Sequence, residues 1–116
     1  MEMNKAFYLE CNLAGRQYYE VNEVWEELFV GACLMLERDK ENKYDPNAIQ
    51  VIYEDINSVP YLLGYIPSEC NEDLAKFFDM GWGDIFSCRI SKISPTNHYE
   101  NQIRLTICIT KKNNRE

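Results

Sequence analysis

Apolar residues along this chain fall into short runs with different spacings, and the spacings predict its elements. Phe7, Leu9, Cys11 and Leu13 alternate with Tyr8, Glu10 and Asn12, the two-residue period of a half-buried strand, which Ala14-Gly15 breaks. Val21, Val24, Trp25 and Leu28 recur at helical spacing, with Asn22 as a candidate cap and Gly31 as the stop. Ala32 to Glu37 is a compact apolar run suited to a strand covered on both faces, and Ile49 to Glu54 is another. Tyr61 to Ile66 makes a further strand that Pro67 ends. From Ser68 the pattern turns helical: Glu69, Glu72 and Asp73 suit the positive end, Cys70, Leu74, Phe77 and Phe78 share one face, and Gly81 closes the run. Phe86, Cys88 and Ile90, then Ile103, Leu105, Ile107 and Ile109, alternate with polar residues and predict two antiparallel strands joined through the 95–101 loop. The tail from Lys111 is expected to fray.

Several short strands and two short helices make the chain mainly β with an α+β character. A small, partly closed β-barrel suits that pattern, because closure removes the edges that a lone sheet exposes. The 116 residues fit a single domain spanning 1–116, with a core over about residues 5–111 and no internal repeat or long linker. No run approaches a membrane-spanning helix, and Met1-Glu2-Met3-Asn4-Lys5 does not read as a signal peptide. A cytoplasmic protein without membrane contact is the expectation.

Charge and candidate chemistry narrow the functional classes. Nineteen acidic against 12 basic residues give a net charge of −7, which repels polyanions and argues against broad duplex binding. Nucleic-acid contact must then be local, in a small pocket or on a basic patch formed by Arg16, Arg38, Lys40 and Lys43. The five cysteines are widely spaced, with no C-x-x-C pair and one histidine, His98, so buried reduced thiols are expected and a metal is not. His98 lies in a polar loop, and Glu26-Glu27 and Glu72-Asp73 read as solvated charge. No phosphate-binding glycine loop and no nucleophile–base pairing stands out, so a non-catalytic protein with no cofactor is expected.

The densest local signal is the run Arg38-Asp39-Lys40-Glu41-Asn42-Lys43-Tyr44-Asp45-Pro46-Asn47-Ala48-Ile49, followed after a strand by Gly64-Tyr65-Ile66-Pro67. Pro46 suits the second position of a type I turn begun by Asp45, whose side chain can brace that turn. Turn-formers, an aromatic and a carboxylate between two strands are what a small barrel places at a binding groove. With Gly15-Arg16-Gln17-Tyr18-Tyr19, Gly31 and Leu36-Glu37-Arg38, the string N-x-Y-D-P-N-A-I-x-V and the later G-Y-I-P resemble the HIRAN domain family over nearly the whole chain.

That resemblance implies an OB/SH3-like barrel, found alone in bacteria and fused to helicase-like remodelling enzymes in eukaryotes. It also implies capture of the 3′ end of single-stranded DNA, in the setting of DNA repair and stalled replication forks, with a helicase or nuclease as a protein partner. Carried onto this sequence, Tyr18 is the aromatic under a terminal base, Tyr44 flanks the same pocket, and Asp45 accepts a hydrogen bond from the 3′-hydroxyl. Tyr19 joins the aromatic pair, Tyr65 reaches the penultimate phosphate or base, and Arg16 replaces the arginine that DNA-binding members carry where Gln17 stands. Pro67-Ser68-Glu69 stands where such members are rich in lysine. From the residues alone, Tyr18-Tyr19 could equally pack at an edge, and Asp45 could simply brace its turn. Asn47 reads as a turn brace, Gly64 as a close approach or bulge, and Trp25 and Trp82 as core or rim. A protein-interaction or assembly module on the same barrel, without DNA binding, is the alternative function.

Overall fold

The computed structural model describes residues 5–110, in which six strands hydrogen-bond into one antiparallel sheet. They are β1 (Lys5–Asn12), β2 (Cys33–Arg38), β3 (Ile49–Glu54), β4 (Pro60–Tyr65), β5 (Phe86–Ile93) and β6 (Ile103–Thr110), in spatial order β1-β6-β5-β2-β3-β4. The tail from Lys111 lies outside the described residues. Strand β2 serves two partners in succession: Cys33 and Leu34 pair with β5, and Met35 to Arg38 pair with β3. Leu13, Ile49, Val51, Leu63, Ile66, Leu74, Ile90, Leu105 and Ile107 are fully buried inside the fold.

The alternation predicted for β5 and β6 is present, with Cys88, Ile90, Ile103, Leu105 and Ile107 all buried. In β1 the phase changes. A register shift between Phe7 and Leu9 leaves Phe7 67% exposed and turns Tyr8 toward Phe86 and Phe77, with ring centroids 5.2 Å and 6.4 Å away. The expectation that β2 is covered on both faces is corrected, since Leu34 is buried while Cys33, Met35 and Glu37 face solvent. Cys33 is therefore also an exception to the expected buried thiols. Cys11 and Cys88 are buried, and burial pushes each thiol up to about 12.

The two helices are short. α1 (Val21–Val24) buries both its valines and runs into a 3₁₀ turn at Trp25–Glu27. Asn22 does not cap it; the Asn22 Oδ1 instead accepts a hydrogen bond from Arg16. α2 (Glu72–Asp79) starts later than the sequence pattern suggests, because Ser68–Cys70 forms a separate 3₁₀ turn. Leu74 and Ala75 anchor α2 on the core, and Gly81, at φ 86°, ends it with its N–H on the Phe78 carbonyl at 3.0 Å.

No continuous ladder closes the sheet into a barrel. Ala14, just beyond edge strand β1, instead forms an isolated bridge with Tyr65, the last residue of edge strand β4. The bridge consists of two reciprocal backbone hydrogen bonds of 2.9 Å. Gly64 makes it possible: a Cβ there would run into the Ala14 carbonyl oxygen and crowd the Leu13 side chain at 3.0 Å. Backbone cannot yield as a flexible side chain can, so Gly64→Ala should destabilise the fold by about 1–3 kcal/mol. Urea unfolding checks this, and unchanged stability would mean that the edges meet without the close approach.

Candidate nucleic-acid interface

Two segments flank the Ala14–Tyr65 bridge, and each is fixed by its own polar side chains. In the loop between β2 and β3, Asn42 Oδ1 accepts from the N–H groups of both Tyr44 and Asp45 at 2.9 Å. Asp45 Oδ1 accepts from the Asn47 N–H at 2.9 Å, the side-chain-braced turn expected of an Asp-Pro-Asn step. The far carboxylate oxygen, Oδ2, accepts from Asn71 Nδ2 at 2.9 Å. Asn71 is buried immediately before α2, and its Oδ1 has no hydrogen-bond partner.

The other end of α2 holds the same loop. Arg38 grips both oxygens of Asp79 at 3.0 and 3.2 Å while donating to the Pro46 and Ala48 carbonyls at 2.8 and 3.1 Å. Lys40 Nζ reaches Asp79 at 3.6 Å. Hydrogen bonding from Arg38, with the charges of Arg38 and Lys40, holds the Asp79 carboxyl below its ordinary value of 3.8. Tyr44 rides on this braced loop as a residue 94% exposed.

Across the bridge, Gly15 at φ 78° opens a 3₁₀ turn at Arg16–Tyr18. Arg16 points inward. Its Nε donates to Gln102 at 2.6 Å, its Nη1 to Asn22 at 2.9 Å, and the guanidinium lies 4.8 Å from the Trp25 ring centroid and 5.3 Å from that of Tyr99. The expected phosphate contact at Arg16 is thus not exposed; the residue fastens down the turn that displays Gln17, Tyr18 and Tyr19. Tyr19 leans on Tyr65 with centroids 5.5 Å apart. The Tyr65 hydroxyl donates to Asp39 Oδ2 at 2.8 Å. Burial raises its pKa most; a hydrogen bond with Gln50 lowers it, and the bond to Asp39 raises it again.

These segments shape two open grooves. Tyr19, Tyr44, Asp45 and Tyr65 line the first, of about 380 Å³, together with Asn42. Tyr18 lines the second, of about 450 Å³, with Gln17, Glu69 and Glu100. Ala14 and Ser68 belong to both, so the grooves adjoin. Tyr18 and Tyr44 therefore line adjoining grooves rather than one, and Tyr19 is the tyrosine that shares a groove with Tyr44. The expected basic patch does not assemble either. Arg16 is buried, Arg38 and Lys40 are held by Asp79, Lys43 is exposed next to Tyr44, and no lysine or arginine is among the residues lining the two grooves. Sequence reasoning missed Asn71, Asn42, Asp39 and Arg38 as the braces of the site. Among the described residues no group of three or more His, Cys, Asp or Glu could hold a metal ion, and no helix is long and apolar enough to cross a membrane.

A family model for the HIRAN domain matches residues 6–112. This chain belongs to the HIRAN domain family. HIRAN domains are known as DNA-binding domains. The fold is similar to that of a solved protein from Lactobacillus plantarum, at a TM-score of 0.74 and 21% identity over 93% of this chain and 97% of that one. It is also similar to the HIRAN domain of human HLTF, at a TM-score of 0.64 and 19% identity over 97% of this chain and 84% of that one. At those identities the likeness is one of fold. In sequence, the chain is 34% identical over 87 residues to a Fanconi-associated nuclease 1 homolog from Oryza sativa subsp. japonica, covering 75% of this HIRAN chain and 8% of the nuclease homolog.

The tie between the loop and α2 has a pH signature. The folded-state pKa of Asp79 lies below 3.8, so the tie contributes stability above that value that is lost as the pH falls through the lowered one. Urea titrations from about pH 5 to about pH 2 should show a shallower acid-side loss for Asp79→Asn than for the parent. Parallel losses would contradict the assignment.

Proposed function

We propose that this HIRAN domain, read as one domain over residues 1–116, captures the 3′-hydroxyl end of single-stranded DNA without acting on it chemically. The observation that carries this reading is the convergence of Tyr19, Tyr44, Asp45 and Tyr65 on one open groove. The exposed Tyr44 ring, with Tyr19 near it, offers stacking surface to a terminal base, and such contacts are worth about 1–3 kcal/mol per base. Asp45 supplies the end test. One hydrogen bond arrives at each of its oxygens, from Asn47 and Asn71, which leaves lone pairs able to accept from a hydroxyl. A carboxylate so placed accepts a 3′-hydroxyl proton and repels a 3′-phosphate or a continuing strand.

Arg16 and Tyr65 act as positioning residues in this reading. Arg16 supports the Tyr18–Tyr19 display from below, and Tyr65 backs Tyr19 with its hydroxyl held by Asp39. With no cation lining the groove, affinity comes from stacking and end chemistry, and its salt dependence is shallow. The kinship to a nuclease homolog supports a role in DNA repair or replication-fork processing beside a nuclease or helicase. The same lack of cations favours the second reading, a protein-interaction module.

Fluorescence anisotropy with short oligonucleotides at low salt separates the two readings. A 3′-hydroxyl strand should bind at least about tenfold more tightly than its 3′-phosphate counterpart, and Tyr44→Ala should cost about 1–3 kcal/mol. Asp45→Asn tests the charge without breaking the loop, because the orphaned Oδ1 of Asn71 can accept from the new amide once the Asn71 side chain turns over. It should erase the preference for the hydroxyl. Equal binding of both ends by the parent would sink end recognition, and no binding of any strand would favour the protein-interaction reading.

A further inference from the structure

The Tyr18 groove carries chemistry of its own. Its Asn12 and Asn101 amides are bonded to each other at 3.1 Å, and Asn12 Oδ1 also accepts from Arg104 at 3.0 Å. Gln17, Glu69 and Glu100, by contrast, are exposed and their side chains make no hydrogen bond or ion pair among the described residues. Three separate turns present them: Arg16–Tyr18, Ser68–Cys70 and Tyr99–Asn101. Tyr18, a residue 74% exposed, adds an aromatic ring.

Two unpaired carboxylates and no cation make this groove a poor place for a phosphate. They suit N–H donors instead. A groove with an aromatic face and free acceptors matches a nucleobase, whose ring stacks while its exocyclic amino group donates to a carboxylate. Cytosine, adenine and guanine carry such a group, and thymine does not. The groove shares Ala14 and Ser68 with the Asp45 groove, so a strand ending at Asp45 brings its next base here.

We infer that the Tyr18 groove reads the nucleotide next to the 3′ terminus and selects bases with an exocyclic amino group over thymine, through Glu69 and Glu100. This rests on the reading of the Asp45 groove as the 3′-end site. The strand turns its bases, and not its backbone, toward the two carboxylates. Gln17 and Glu69 occupy this groove, and no lysine or arginine lines it to grip a phosphate.

The test is an anisotropy titration of the full chain with oligonucleotides identical except for cytosine or thymine at the penultimate position, each with a 3′-hydroxyl or a 3′-phosphate. Penultimate cytosine should bind about fivefold or more tightly than thymine. Combining Glu69→Ala with Glu100→Ala should bring that ratio to about one while leaving the preference for a 3′-hydroxyl in place. Equal binding of cytosine and thymine strands, with the hydroxyl preference intact, overturns base selection alone. A ratio that survives the double substitution also overturns it, by placing selection elsewhere. Absence of the hydroxyl preference, or of DNA binding, overturns the end-site reading and this inference together.

Discussion

The close contact of Ala14 with Tyr65 across the bare Cα of Gly64 is the constraint on which the rest of the site depends. Six strands in an antiparallel order have two free edges, and here these edges are brought together by two backbone hydrogen bonds rather than by a shared ladder. That bridge, with a second tie farther along in which the Glu20 N–H donates to the Leu62 carbonyl at 2.9 Å and the Leu62 N–H to Glu20 Oε1 at 2.7 Å, sets the turn at Arg16–Tyr18 beside the loop between β2 and β3, although the two are far apart in the spatial order of the strands. Both grooves take Ala14 as part of their lining, so displacing the bridge would alter both.

Around the bridge, cations are used to build rather than to bind. Arg16 is enclosed by Gln102, Asn22 and two aromatic rings, and Arg38 joins Asp79 to the Pro46 and Ala48 carbonyls. A buried or doubly bonded guanidinium makes a rigid strut because its planar fork satisfies several acceptors at once. The exposed groups left at the grooves are aromatic rings, amides and carboxylates. Such a surface discriminates by shape, stacking and hydrogen-bond polarity, in keeping with a chain whose net charge is −7. The loop bearing Tyr44 and Asp45 is also held at both ends of α2, by Asn71 and by Asp79, which limits how far Asp45 can move.

Much of this was legible in the sequence where local spacing governs structure. Strands β5 and β6 announce themselves by strict alternation, because a two-residue period leaves one choice of face once a core exists. Asp45 reads as a turn brace, and Gly64 as a close approach or a bulge; the structure has the close approach at Gly64 and a register shift beside it. Other features depend on partners distant in the chain. Arg16 is buried because Gln102, 86 residues away, receives its Nε, and no local pattern distinguishes that arginine from a surface one. Asn71 meets Asp45 across 26 residues, and the helical pattern that runs on from Ser68 in the sequence gives no sign of it. The inward turn of Tyr8 follows from a one-residue irregularity in pairing that strand periodicity does not encode.

On the proposed reading, one strand end lies across Ala14 and Ser68, which line both grooves, with Tyr44 and Asp45 on one side and Tyr18 on the other. Amide chemical-shift mapping by nuclear magnetic resonance during titration with a short 3′-hydroxyl oligonucleotide measures this directly. The account predicts perturbations concentrated in the 14–19 turn, the 42–48 loop and residues 65–69. Perturbations centred instead on the apolar face of Tyr8, Phe77 and Met80, or none at a saturating strand concentration, would contradict it.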